Sequence, residues 1–99
     1  MLTYDKVLSI FADYLIADEE IDVLSTKYCY IIVYWDHIRR EWEVGKNCFT
    51  PDALFDELLS AYEFFRTFTY TRADRELTKE EQADIAVGME YYIKQRKKL

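Results

Sequence analysis

The sequence predicts an α+β fold, a three-stranded antiparallel meander with three helices in the order α-β-β-β-α-α. Three observations predict it. Apolar residues recur at helical spacing near both ends of the chain. Between them the pattern changes to a β-branched and aromatic run from Tyr28 to Trp35. With 2 Gly and 1 Pro among 99 residues, and 51% apolar residues, the chain has few breakers and ample material for a core. That length suits one domain over residues 1–99.

The first helix is expected over residues 4–17. Thr3 reads as its N-cap, a hydroxyl able to accept from the free amides of the first turn. Tyr4, Val7, Leu8, Phe11, Ala12 and Leu15 form its apolar stripe, with Asp5, Lys6, Ser9 and Asp13 opposite. Asp18, Glu19 and Glu20 follow as a solvated acidic connection.

Three strands come next. Ile21, Val23 and Ser25 alternate with Asp22, Leu24 and Thr26. The run from Tyr28 to Trp35 is apolar on both faces, which marks the middle strand of a small sheet. Residues 36–39 form the hairpin loop, and Arg40 to Val44 alternate with Trp42 and Val44 expected on the inside face. Gly45, Lys46 and Asn47 read as a stop.

Thr50-Pro51-Asp52 starts a second helix with a cap residue, a proline in the first turn and an acid at the positive end. Its stripe is Leu54, Phe55, Leu58, Ala61, Tyr62 and Phe65, widened by Phe64 and Phe68, and it is expected to reach residue 69. Thr78 and Glu81 have capping-box spacing before a last helix, whose stripe is Ile85, Ala86, Met89, Tyr92 and Ile93. Lys94, Arg96, Lys97 and Lys98 crowd its negative end.

Charge is uneven. Residues 1–63 hold 13 acids and 5 bases; residues 64–99 hold 6 acids and 8 bases, for a net charge of −6. Such a field repels nucleic-acid phosphates and attracts basic surfaces, while also serving solubility. No basic segment precedes an apolar one at the start, and the longest apolar run, Tyr28 to Trp35, falls far short of the about 20 residues of a bilayer span. A cytoplasmic protein without membrane contact or direct nucleic-acid binding is expected. In that compartment Cys29 and Cys48 are expected as buried thiols rather than a disulfide.

Reaction chemistry finds little support. His37 is the only histidine, and its neighbour Asp36 points the other way in extended chain. Cys29, His37 and Cys48 lack zinc spacing. Residues 18–22 lack the central Gly and closing Glu of a calcium loop. Glu41 and Glu43 read as the exposed half of a strand. Gly45 and Gly88 make no phosphate loop, and no nucleophile elbow occurs. The expectation is a non-enzyme with no metal or cofactor.

Rings are abundant instead, with 9 Tyr, 6 Phe and 2 Trp. Because both faces of the middle strand are apolar, either helices cover both or one face meets a partner. Tyr28, Tyr30, Tyr34, Phe64 and Phe68 are the expected interface, with a protein partner or a second copy. Asp13, Asp18, Glu19, Glu20 and Asp22 are the expected acidic rim, steering a basic partner.

The helix–strand–strand–strand–helix order is similar to that of the double-stranded-RNA-binding domain. That family opens its second helix with a basic run. Pro51, Asp52, Asp56 and Glu57 stand there in this chain, against an RNA-binding role. With its additional terminal helix, acidity and small size, the chain also resembles small anti-CRISPR proteins of mobile elements. That resemblance implies a phage or mobile-element accessory protein, acting as a nucleic-acid mimic through the same five carboxylates in a basic channel. The basic tail Lys94 to Lys98 departs from a uniformly acidic mimic.

Overall fold

The computed structural model describes residues 1–99. The elements are α1 Tyr4–Ile10, α2 Ala12–Ala17, β1 Ile21–Ser25, β2 Tyr30–Asp36, β3 Glu41–Cys48, α3 Pro51–Thr71 and α4 Lys79–Lys97. The sheet is the expected antiparallel meander, in the order β1-β2-β3. The helix count is not as expected: there are four, two before the sheet and two after.

The additional helix comes from a break at Phe11, whose backbone (φ −97°, ψ 12°) leaves the helical region. Two local features mark the break. The Phe11 ring is fully buried, stacked on Tyr92 at 4.6 Å and edge-on to Phe55 at 5.2 Å. The amide of Tyr14 donates to Oδ1 of Asp13 at 2.7 Å, a side-chain bond that competes with the helical ladder. Apolar spacing continues smoothly through the joint, so the periodicity alone conceals it.

The caps follow the sequence. Thr3 accepts from the amide of Lys6 at 3.2 Å, Thr50 from that of Ala53 at 3.1 Å, and Thr78 and Glu81 complete a reciprocal capping box. Helix α3 runs two residues beyond its expected end and stops at Arg72, in the left-handed region (φ 53°), followed by Ala73 in the same region (φ 60°).

The inner face of β3 requires a correction. Ile32 pairs with Lys46 and Val33 with Val44, so Gly45 is an inserted residue, a β-bulge within a strand that continues to Cys48. Counting back from buried Cys48 by twos puts Val44 and Trp42 inside. The bulge shifts the count by one and turns both outward, 65% and 45% exposed. Gly45 is no stop. A Cβ there would collide with the ring of Tyr34, which lies against the backbone at this point.

All the helices lie on one side of the sheet. Val7, Phe11, Tyr14, Leu54, Phe55, Leu58, Tyr62 and Tyr92 pack with Ile21, Ile32 and Cys48 of the inner face. The molecule measures 18 Å across its short axis, room for one sheet and one helix layer. Strand register places Leu24, Ile31, Val33 and Val44 on the outer face, with Asp22 and Asn47; Trp35 and Trp42 share that register at the end of the sheet, where they border a hollow beside α3. Helices cover one face of the middle strand, not both.

The tyrosines hide better than their number suggests, because each buried ring keeps its hydroxyl partnered. Tyr92 donates to Asp13 at 3.0 Å, Tyr14 to Asp18 at 2.8 Å and Tyr4 to the Cys48 carbonyl at 3.2 Å, while Tyr62 accepts from Arg66 at 2.6 Å. Both cysteines are free; Cys48 is buried and Cys29 only half-buried. No helix is long and apolar enough to cross a membrane.

Candidate interaction cleft

Helix α3 carries its ring stripe past the sheet. Between its second half, the α2–β1 connection and the end of β2 lies an open cleft of about 500 Å³. Tyr14, Tyr34, Trp35, Phe64, Phe65 and Phe68 line it, with Ala61, Ser60 and the carboxylates Asp18, Glu20 and Glu57. A shallower hollow adjoins it, sharing Asp18, Glu20, Trp35, Phe65 and Phe68 and adding Glu19, His37, Trp42 and Arg72. Trp35 and Trp42 meet there edge to face, 5.3 Å between centroids.

Each wall has a local cause. The turn at residues 18–20 is fixed by Asp18, whose Oδ2 accepts from Tyr14 and whose Oδ1 accepts from the Glu20 amide at 3.1 Å. The backbone of Trp35 donates to the Glu20 carbonyl at 2.9 Å, tying that turn to the end of β2. Glu20 pairs with His37 from the β2–β3 hairpin. Phe64 and Phe68, one turn apart on α3, stack at 6.5 Å. Tyr34 leans over the Gly45 bulge into the same space.

The electrostatics are one-signed. No Lys or Arg lines the main cleft. The Tyr34 hydroxyl is pushed above its ordinary range, first by burial and then by the charge of Glu57. Burial and the bond to Asp18 raise that of Tyr14 still further. All these phenols therefore stay neutral and present ring faces and hydroxyls, flanked by carboxylates.

The structure gathers part of the expected interface. Tyr34, Phe64 and Phe68 meet in the cleft with Asp18 and Glu20, and Glu19 lies in the adjoining hollow. Phe64 is 72% exposed. Tyr28 is 86% exposed but sits in the β1–β2 turn, at the opposite end of β2. Tyr30 is half-buried and stacked on Tyr4 at 4.2 Å. Asp13 is engaged with Tyr92 and the Tyr14 amide, and Asp22 lies on the outer sheet face. Sequence reasoning missed Tyr14, Trp35, Phe65 and Glu57 as wall residues. Glu57 precedes Phe64 and Phe68 by seven and eleven residues, a helical repeat that could have flagged it.

His37 pairs with Glu20 at the hollow, where Thr69 supplies the one hydroxyl side chain. No group of three or more His, Cys, Asp or Glu side chains is placed to hold a metal ion. Among known proteins, no family model, no curated protein and no solved structure matches the chain.

Proposed function

We propose that this chain is a non-catalytic protein-interaction module whose aromatic cleft takes a segment of a basic partner. The observation that carries this reading is the cleft itself, where six aromatic residues meet three carboxylates and no cation. Exposed rings at a concave site supply contact area at low entropic cost, and carboxylates at the margin speed encounter with a positive partner.

The test is a random-peptide display selection on the full chain, with a Phe64→Ala/Phe68→Ala double variant as counter-target. The expected binders combine Lys or Arg with an apolar residue. Truncating a central interface ring costs about 2 kcal/mol, so they should lose roughly thirtyfold on the variant. Binders indifferent to the two substitutions would overturn the reading.

A nucleic-acid mimic is the other class of function for an acidic surface, and it draws less support. Of the five carboxylates it would use, Asp13, Asp18 and Glu20 accept hydrogen bonds or ion pairs within the fold. A mimic would give binding that duplex DNA or RNA displaces, that salt weakens steeply, and that ignores the Phe64 and Phe68 substitutions.

A further inference from the structure

We infer that the cleft receives a cationic side chain of the partner, a guanidinium or an alkylammonium, which lies against the rings of Phe64, Phe68 and Tyr34 with its charge met by Glu57. This rests on the interaction-module reading and deepens it, replacing a greasy anchor with a charged one.

The fold itself holds the recipe twice. The guanidinium of Arg96 sits 4.7 Å from the ring centre of Phe55 and pairs with Asp52, with Asp56 at 3.9 Å. That of Arg66 lies 5.7 Å from the ring centres of both Tyr62 and Tyr70 and pairs with Asp84. In each case a ring of α3 and an adjacent carboxylate hold a cation. Ring faces are electron-rich, so a cation over them gains most where water is thinned and a carboxylate lies near.

The cleft repeats the ring and the carboxylate on the same helix, but no cation of the chain lines it. Glu57 takes part in none of the ion pairs of the fold, although it is only half-exposed. A carboxylate against ring surface without a counter-charge gains from any cation brought to it. An apolar anchor would fill the space and leave Glu57 less hydrated and unmatched. A cation with an alkyl stem satisfies both walls.

The test uses four blocked pentapeptides, glycine at every position but the centre, which carries arginine, lysine, citrulline or norleucine. Citrulline keeps arginine's shape without its charge. Binding to the full chain is read from the ring resonances of Tyr34, Phe64 and Phe68. Arginine or lysine should bind about tenfold more tightly than citrulline and norleucine. In Glu57→Gln, folded as judged by circular dichroism, that preference should fall about threefold or more. Arg96→Gln, away from the cleft, should keep it.

Norleucine or citrulline binding as well as the cations would overturn the inference and leave the interaction module standing. So would a Glu57→Gln variant with the preference intact. Shifts for none of the four peptides would overturn the inference too. The module reading is decided separately, by whether the displayed peptides depend on Phe64 and Phe68.

Discussion

Phe55 and Phe64 are nine residues apart on α3, and they do opposite things. Phe55 is buried under Arg96, between α1 and α4, with its cation supplied from inside the chain. Phe64 is mostly exposed, stacked only on Phe68, in a cleft whose Glu57 pairs with no base of the chain. The two share residue type, helix and charged surroundings. What separates them is whether a second helix closes over the ring. Composition thus says how many rings there are, and packing decides which stabilise the fold and which remain available to another molecule.

The contrast is broken most directly by truncating each ring. Phe55→Ala should destabilise by about 3–5 kcal/mol, as for other buried phenylalanines, in urea unfolding. Phe64→Ala should stay within about 0.5 kcal/mol. Equal losses would mean that the cleft rings belong to the core.

A smaller loss is expected where α4 approaches the closed side. A Cβ on Gly88 would run into the hydroxyl of Tyr62, which Arg66 holds. Overpacking of about 1–3 kcal/mol should outweigh the helix-propensity gain of about 1 kcal/mol in Gly88→Ala. Adding Tyr62→Phe removes the colliding oxygen and should recover part of the loss.

The pair Arg75–Glu81 sharpens the comparison by pH. Two bonds from Arg75, at 2.7 and 2.8 Å, and one from the Thr78 amide hold the Glu81 carboxyl down at about 2, against an ordinary 4.5. A depressed acid contributes stability above its unfolded value and loses it as pH falls through its folded one. Arg75→Gln should therefore lower Tm at pH 7, by an amount that shrinks between pH 4.5 and 2. The ring substitutions in the cleft should show no such convergence over that interval.

The smallest effect is expected at the bulge. Gly45→Ala should cost under about 1 kcal/mol, because the half-exposed Tyr34 ring can swing to solvent. It should nonetheless move the Tyr34 ring resonances and weaken cleft binding. An unmoved Tyr34 would show that the bulge does not seat it.

Much of the fold was legible because it is written in local terms. The caps at Thr3, Thr50 and Thr78 and the strand order follow from short-range chemistry and alternation. Two features were not legible. The break at Phe11 keeps the apolar spacing on both sides, so no period changes. The bulge at Gly45 is a register event, visible only once β3 is laid against β2, and it reverses the facing of Trp42 and Val44. The cleft was legible in part: Tyr34, Phe64, Phe68, Asp18 and Glu20 stood out by type, whereas Tyr28, Tyr30 and Asp13 share that type and go elsewhere. Residue type marks candidates, and chain geometry selects among them.

The joint after α3 has a practical corollary for handling the protein. Arg72 and Ala73 stand consecutively in left-handed conformation without a glycine between them. An L residue there bears a steric penalty of about 1 kcal/mol or more. Ala73 lines neither the cleft nor the hollow beside it. Ala73→Gly should therefore raise thermal tolerance by up to about 1 kcal/mol, less glycine's greater freedom when unfolded. The gain leaves every residue lining the cleft and the hollow untouched, which makes this joint the natural place to harden the scaffold before its surface is probed.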